Sequence, residues 1–172
     1  MIAPNPDNTK EGYIQKNGKF AGYFVSKTTL EASSNVNETD PAKYVDATTV
    51  PYLVFPGNFY RLEGSGEMGD YGLAINLKTG KSSPFIVADV GPSKAALGEV
   101  SIALAASLGG INPNPRSGKG KPEGAVAYIV FPHSRIKPFW PLSSETIDSR
   151  VKSLLESVGG YEKMLKCATS SL

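Results

Sequence analysis

Residues 85–110 read FIVADVGPSKAALGEVSIALAASLGG and hold the strongest concentration of reactive side chains in the sequence. An apolar run ends in Asp89, and a Gly-Pro turn and a short loop lead to Glu99 and an Ala-rich segment. An Asp and a Glu at the two ends of one connection are what general acid and base chemistry on a neutral polymer requires. A capped connection from strand to helix has the same pattern, so the spacing alone leaves both interpretations open.

The chain around this stretch predicts a mainly β fold. Apolar, β-branched and aromatic runs bounded by glycine and proline are typical of short strands. Such runs lie at 51–55, 73–77, 84–88 and 125–131. The run at 84–88 is nearly all apolar, which predicts a strand buried on both faces. Two further β-type runs surround Asn17-Gly18 and predict a hairpin within 12–25.

Helices are predicted in two places. Residues 101–108, SIALAASL, predict a short helix that two glycines stop. Residues 143–172 predict a C-terminal helical segment, because two serines can cap a helix whose apolar residues follow helical spacing as far as Val158. We expect residues 1–11, which are polar, to be extended or disordered. The length and the absence of an internal repeat predict one domain over residues 1–172.

The composition argues against several classes of protein. One cysteine and one histidine allow neither a disulfide framework nor a His/Cys metal cluster. No apolar run approaches the ~20 residues of a membrane span, and residues 1–11 hold no apolar signal core. Residues 100–172 carry nine basic and five acidic side chains, too few and too scattered for a nucleic-acid interface. We therefore expect no metal, no cofactor, no membrane span and no nucleic-acid partner.

The core of the chain resembles the double-psi β-barrel enzymes. In these a strand ends in Asp-x-Gly-Pro or Asp-x-Gly-Gly, and after a loop a glycine precedes a strand that runs into a helix of small residues. The matching segments here are Asp89-Val-Gly-Pro92 and the stretch from Gly98 to Gly109. The pattern is similar to that of rare-lipoprotein-A-type and MltA-type lytic transglycosylases, which cleave peptidoglycan. The resemblance implies a six-stranded double-psi β-barrel with a short core helix and a C-terminal helix.

Over residues 12–135 the chain more closely resembles glycoside hydrolase family 75, the fungal-type chitosanases. Seven short motifs occur in the right order: Tyr23-Phe-Val-Ser, Lys43-Tyr-Val-Asp-Ala47, Pro51-Tyr-Leu-Val-Phe-Pro-Gly57, Gly69-Asp-Tyr-Gly72, Ala88-Asp-Val-Gly-Pro92, Gly98-Glu-Val-Ser-Ile-Ala-Leu-Ala105 and Phe131-Pro-His-Ser134. The sequence departs from the family in having Ala88 and His133 where glycine is usual, and in a short loop between the acids.

The family resemblance implies a secreted or exported inverting glycosidase that needs no metal, and we expect it to act as a monomer. It places the catalytic pair on Asp89 and Glu99, which would flank the glycosidic bond. One acid would protonate the leaving oxygen while the other activates water. We favour Glu99 as the acid because it leads into an apolar segment, but the residues alone leave the roles open.

Further substrate-binding residues are predicted on weaker grounds. Asp46 and the pair Asp70-Tyr71 lie in motifs that match the family, although each aspartate can equally cap a turn. If residues 98–102 begin as a strand, Ser101 shares a face with Glu99, because side chains alternate with period two. Trp140 can stack on a sugar ring or pack in the core.

The identity of the polymer stays open between chitosan and a peptidoglycan glycan strand. Chitosan is polycationic, and a chain of net charge +2 gains nothing from long-range attraction to it. Peptidoglycan, cleaved by a muramidase or a lytic transglycosylase, suits the basic second half of the chain better, while a locally acidic cleft would suit amino sugars. A third alternative is a non-catalytic carbohydrate-binding barrel similar to the expansins.

Overall fold

The structure, a computed structural model, describes residues 1–32, 35–59 and 62–170. The strands are β1 (Pro4–Asn5), β2 (Asn8–Gly12), β3 (Tyr52–Phe55), β4 (Tyr71–Asn76), β5 (Ser82–Val90) and β6 (Val126–Val130). The helices are α1 (Ile102–Ser107), α2 (Ser144–Ser157) and α3 (Gly160–Ser170), with a 3-10 turn at Pro41–Lys43.

The described strands form two sheets. Four of them make a mixed sheet in the order β3-β5-β4-β6, in which β3 runs parallel to β5 and β4 runs antiparallel to β5 and to β6. The other two, β1 and β2, form a separate antiparallel pair. The expected β-rich fold is therefore confirmed, but the six strands are not joined in a single sheet.

Strand β5 lies at the centre of the core. Phe85, Ile86, Val87 and Ala88 have no exposed surface, which confirms the strand predicted to be buried on both faces. Its alternate side chains enter two hydrophobic clusters. The cluster on the α1 side holds Leu53, Phe55, Ala74, Phe85, Val87, Leu104 and Leu108. The cluster on the α2 side includes Leu73, Ile75, Ile86, Ala88, Ile147 and Val151.

The two predicted helices, α1 and α2, each begin after a serine that caps the first turn. The hydroxyl of Ser101 accepts from Leu104 N and begins α1. In the same way Ser143 accepts from Thr146 N and begins α2. Such side chains satisfy amide groups that have no partner in the first turn. Gly159, with φ of 102°, follows the end of α2 and lets the chain turn into α3.

The hairpin predicted around Asn17-Gly18 is present with a longer turn. Val25 N donates to Tyr13 O, Gln15 N donates to Tyr23 O, and a bridge joins Ile14 to Phe24. The turn covers residues 16–21, so Asn17-Gly18 lies within a loop. Residues 1–11, expected to be extended or disordered, contain β1 and most of β2.

The parallel strands β3 and β5 interlock just beyond their ends. Gly91 N donates to Phe55 O over 2.7 Å, and Gly57 N donates to Pro92 O over 3.1 Å. A Cβ on Gly57 would lie 2.8 Å from Gly91 O, closer than real contacts allow. Only glycine fits there, and this contact determines the path of the chain after Asp89.

None of the described helices combines the length and the apolar character that a bilayer crossing requires.

Candidate active site

A β-bulge determines the direction of Asp89. On β3, Leu53 pairs with Val87 and the next residue, Val54, pairs with Asp89, so Ala88 is an extra residue on β5. Cross-strand partners point to the same side of a sheet. Asp89 therefore shares a side with Val54, and not with Val87 as uninterrupted alternation would require. The bulge turns Asp89 away from the core beneath α1.

Glu99 lies in a segment that pairs with β3 along the edge that does not face β5. A bridge joins Leu53 to Val100, and Val54 N donates to Glu99 O over 2.9 Å. Val100 packs against the α1-side cluster with Leu53. The residues on either side of it, Glu99 and Ser101, therefore face the other way, as the sequence predicted for a strand at this position.

The two acids thus lie in one row across three chain segments, with Val54 between them. Two strand spacings put their α-carbons about 10 Å apart. The Glu99 side chain extends toward Gly91, the residue that follows β5. A Cβ atom built on Gly91 would lie 3.6 Å from Glu99 Oε2. Asp89 and Glu99 are therefore brought to the same side of the sheet, facing a common space.

Asp89 is half-buried and held by one residue. Its Oδ1 accepts from Thr29 N over 3.0 Å and from Thr29 Oγ1 over 2.7 Å. The neighbouring Leu30 N donates to Ala88 O over 2.9 Å, which fixes this segment beside the bulge. Oδ1 is thus engaged, and within the described part of the chain no hydrogen bond reaches Oδ2, which can contact water or substrate.

Glu99 has a more open environment. Its side chain is exposed. The apolar segment that follows Glu99 does not cover it, because α1 directs Leu104 and Leu108 into the cluster on the far side of the sheet. The roles of acid and base are therefore assigned from the hydrogen bonds that Thr29 donates to Asp89.

Tyr52 lies among the acids and was not singled out from the sequence. The pKa of its hydroxyl is raised from 10.0 to about 12, chiefly by burial. The negative charges of three carboxylates contribute to the rise, and these belong to Asp89, Glu99 and Asp46. The phenol therefore stays protonated at neutral and mildly alkaline pH, and it can donate a hydrogen bond beside the acid pair.

A cavity of about 830 Å³ adjoins this cluster. Its wall includes seven hairpin residues between Gln15 and Ser26, the segment 44–50, Tyr52, residues 113–115 and Trp140. Asp89 and Glu99 are not part of the wall. Tyr52 lines the cavity and also lies within the influence of the carboxylate charges, so it is the residue that links the cavity to the acids.

Asp46 and Trp140, predicted to bind substrate, both line this cavity. Asp46 is exposed, and its Oδ1 accepts from Thr48 N and Thr48 Oγ1, each over 2.8 Å. Trp140 is half-buried and packs against the α2-side cluster. Asp46 thus caps a turn and faces the cavity, and Trp140 combines core packing with a place in the wall.

Three other predicted substrate contacts are wrong. Asp70, Tyr71 and Ser101 are 0%, 2% and 1% exposed, too buried to meet a polymer. The Asp70 carboxylate instead accepts from three backbone amides, those of Glu67, His133 and Arg135.

Tyr71 and Ser101 likewise have structural roles. Burial raises the pKa of Tyr71, whose ring packs in the α2-side cluster. Ser101 Oγ accepts from Leu104 N and from Tyr52 N, each over 3.0 Å. It therefore positions Tyr52 and is too buried to contact a polymer, although it lies on the same side as Glu99.

Thr29 is the other site residue that the sequence did not indicate. It lies 60 positions before Asp89 and belongs to none of the quoted motifs. Tyr52 does lie in a quoted motif, but as an ordinary strand residue. Only the pairing of distant segments gives either residue a role.

Comparison with known proteins gives no match to a family model and no similar curated protein. Within the described part of the chain, no group of three or more His, Cys, Asp or Glu side chains is placed to hold a metal ion.

Proposed function

We propose that this protein is an endo-acting glycoside hydrolase that cleaves β-1,4 linkages of a chitosan-like amino-sugar polymer with inversion. The observation that supports this proposal most is the row Asp89–Val54–Glu99, in which two carboxylates face one space from segments two strand spacings apart. Inverting enzymes need carboxyls ~6.5 to 9.5 Å apart, with room for a water molecule between one of them and the sugar. An α-carbon separation of about 10 Å is compatible with that range.

In this mechanism Asp89 is the base and Glu99 is the acid. Asp89 is held by Thr29 through one oxygen and takes a proton from the attacking water through the other. Glu99, exposed and on a longer side chain, gives its proton to the glycosidic oxygen as the bond to the anomeric carbon breaks. The water oxygen bonds to that carbon from the opposite face, so the leaving sugar gains a proton and the anomeric configuration inverts.

The local charge favours an amino-sugar substrate. The charges of Asp46, Asp89 and Glu99 all act on Tyr52, so its surroundings are acidic although the chain as a whole has a net charge of +2. Ammonium groups of the polymer would be attracted at short range, where screening by salt is weakest. A polymeric substrate of this kind is consistent with a secreted or exported protein that acts as a monomer.

The double-psi β-barrel belongs to the same proposal. Residues 99–101 extend the mixed sheet beyond β3, and the ends of β3 and β5 interlock through Gly57 and Gly91. These features support a barrel in which the loop after Asp89 is held by the neighbouring strand.

Peptidoglycan cleavage is the second candidate. Lys19 and Tyr23 line the cavity, and Arg116 stacks on the Tyr23 ring. These cations would suit the carboxylates of a muramyl-peptide substrate.

The test is release of reducing ends from chitosan and from de-N-acetylated peptidoglycan. We expect Glu99→Gln and Asp89→Asn each to lower the rate at least about 100-fold while the fold is retained. Glu123→Gln is the matched control, because Glu123 is exposed and pairs with Lys78 at the surface. Binding of either polymer by the wild type without release of ends would overturn the proposal in favour of a non-catalytic binding barrel.

A further inference from the structure

Helix α2 bears a second pocket, of about 520 Å³, which shares none of its lining residues with the cavity beside Tyr52. It is lined by Glu145, Thr146, Ser149, Arg150 and Ser153. The last four are spaced by three and four residues, so they form one stripe along the helix. We call these four residues the polar stripe. The buried residues of α2, Ile147 and Val151, face the core beside it.

Arg150 is the charged residue of the polar stripe, and it is half-buried. Among the described residues, its Nε is the one buried side-chain nitrogen or oxygen that lacks a hydrogen-bond partner. Nor does an ion pair within the described residues reach its guanidinium. A buried donor without an acceptor costs free energy. A ligand that accepts hydrogen bonds would satisfy this one.

The surroundings of Arg150 supply no opposite charge along its own helix. The positions three and four residues away hold no acid, since they are Thr146, Ile147, Ser153 and Leu154. On the core side, the charge of Arg150 acts on the hydroxyl of Tyr71, whose pKa is raised by burial and lowered in part by this charge. A phenol with a raised pKa is neutral at neutral pH, so it does not compensate the guanidinium.

The hydroxyls of the polar stripe add further donors. Thr146 Oγ1 lies 3.1 Å from Ser143 Oγ at the start of the helix. Across the part of the chain that the structure describes, the hydroxyls of Ser149 and Ser153 make no hydrogen bond, whereas that of Ser157 donates to a carbonyl of the same helix. Ser149 and Ser153 therefore offer two O–H donors beside the guanidinium.

One carboxylate borders the pocket. Glu145 is exposed, and its pKa is lowered by hydrogen bonds from its own backbone amide and from Ser143. Both donors belong to the start of α2, so this carboxylate is held at the first turn. It stays ionised at neutral pH, and we expect it to weaken the binding of an anion without preventing it.

We infer that the polar stripe binds a phosphate group. A guanidinium fork donates parallel hydrogen bonds to two phosphate oxygens, and the serine hydroxyls can donate to the others. Because most of the residues that line the pocket are exposed, the phosphate can be an inorganic ion or a group carried by a larger molecule. The inference makes no use of Asp89 or Glu99, so it does not depend on the proposed function.

The test is nuclear magnetic resonance of the isotope-labelled protein, in which each of the four arginines has one Nε–H group. Inorganic phosphate, glycerol phosphate and acetate are titrated separately at constant ionic strength. We expect the Arg150 Nε–H signal to shift saturably with inorganic phosphate or glycerol phosphate, with Kd on the order of 1–10 mM, and acetate to bind at least about fivefold more weakly. The tighter of the two phosphates identifies a free ion or a carried group.

Variants on the same helix separate a site from a general charge effect. Arg150→Gln should abolish the saturable shifts of the Ser149 and Ser153 amides. The double change Ser149→Ala and Ser153→Ala, which keeps the guanidinium, should weaken binding at least about threefold. Glu145→Gln should strengthen it. Lys152→Gln, which removes an exposed cation outside the polar stripe, is the matched control and should leave the affinity unchanged. Thermal melting checks that each variant is folded.

The inference is overturned if neither phosphate shifts the Arg150 signal saturably up to about 50 mM. Binding that survives Arg150→Gln in a folded protein would also overturn it. An equal loss of affinity in Lys152→Gln would show a general attraction of anions to the helix, which contradicts a defined site. Acetate that binds as tightly as phosphate would mean that the stripe does not recognise phosphate.

Discussion

The hydroxyl of Thr29 donates to Asp89 Oδ1 over 2.7 Å, and the backbone amide of the same threonine donates to the same oxygen. One residue thus orients the carboxylate that we propose as the base. Thr29 belongs to the segment before Leu30, which is anchored to Ala88 at the bulge. The direction of Asp89 therefore depends on two chain segments.

Removing the Thr29 hydroxyl should slow catalysis more than it weakens binding. In Thr29→Val one hydrogen bond to a charged group is lost, worth ~1.5–3 kcal/mol, so we expect kcat to fall at least about tenfold with little change in KM. Steady-state kinetics on chitosan measure this. Thr39→Val is the control, since Thr39 bonds to Asn37 in an exposed turn far from Asp89 in the sequence. An unchanged kcat in Thr29→Val would show that the backbone amide alone orients Asp89.

Tyr52→Phe should remove a loss of stability at high pH. The pKa of Tyr52 is raised to about 12 in the folded chain from 10.0, so between these values the unfolded chain releases a proton that the folded chain retains. Stability therefore falls as the pH rises from 10 toward 12, by up to about 3 kcal/mol from this group.

Urea unfolding of both proteins at several alkaline pH values measures this effect. The difference in free energy of unfolding between Tyr52→Phe and wild type should grow in favour of the variant above pH 10. Tyr161→Phe is the control, because its hydroxyl bonds to Gly80 O at the surface. Parallel pH curves for wild type and Tyr52→Phe would contradict the burial of the Tyr52 hydroxyl, which is the main cause of its raised pKa.

Neutralising Asp46 should weaken the binding of amino sugars without slowing the chemical step. We expect Asp46→Asn to raise KM for highly deacetylated chitosan about three- to tenfold at low salt, and less at high salt, with kcat nearly unchanged. Asp148→Asn, an exposed change on α2, serves as control. A KM that is insensitive to Asp46→Asn would mean that this carboxylate only caps its turn.

Asp70 should matter for stability alone. Asp70→Ala leaves three backbone amides without their acceptor at a fully buried position, so we expect a loss of roughly 2–4 kcal/mol in the free energy of unfolding. The folded fraction should retain the KM of the wild type. A raised KM with unchanged stability would restore Asp70 as a substrate contact.

Local sequence patterns predict a large part of this fold. The apolar run at 84–88 predicted the buried strand β5, and the serine caps with periodic apolar residues predicted α1 and α2. Such features depend on near neighbours in the chain, which is why they can be read directly. The exposure of Glu99 and the burial of Asp70 could not be predicted from the sequence, because each depends on how separate segments pack.

By itself the sequence determined that Asp89 follows a buried apolar run, and that Glu99 and Ser101 point the same way if residues 98–102 begin as a strand, since these facts follow from composition and from the period of a strand. Only the tertiary structure decided that the two acids share a face. Alternation from Val87 would have turned Asp89 into the core beneath α1, and the extra residue Ala88 reverses it. A bulge is a mismatch between two strands, so it exists only once β3 and β5 have paired.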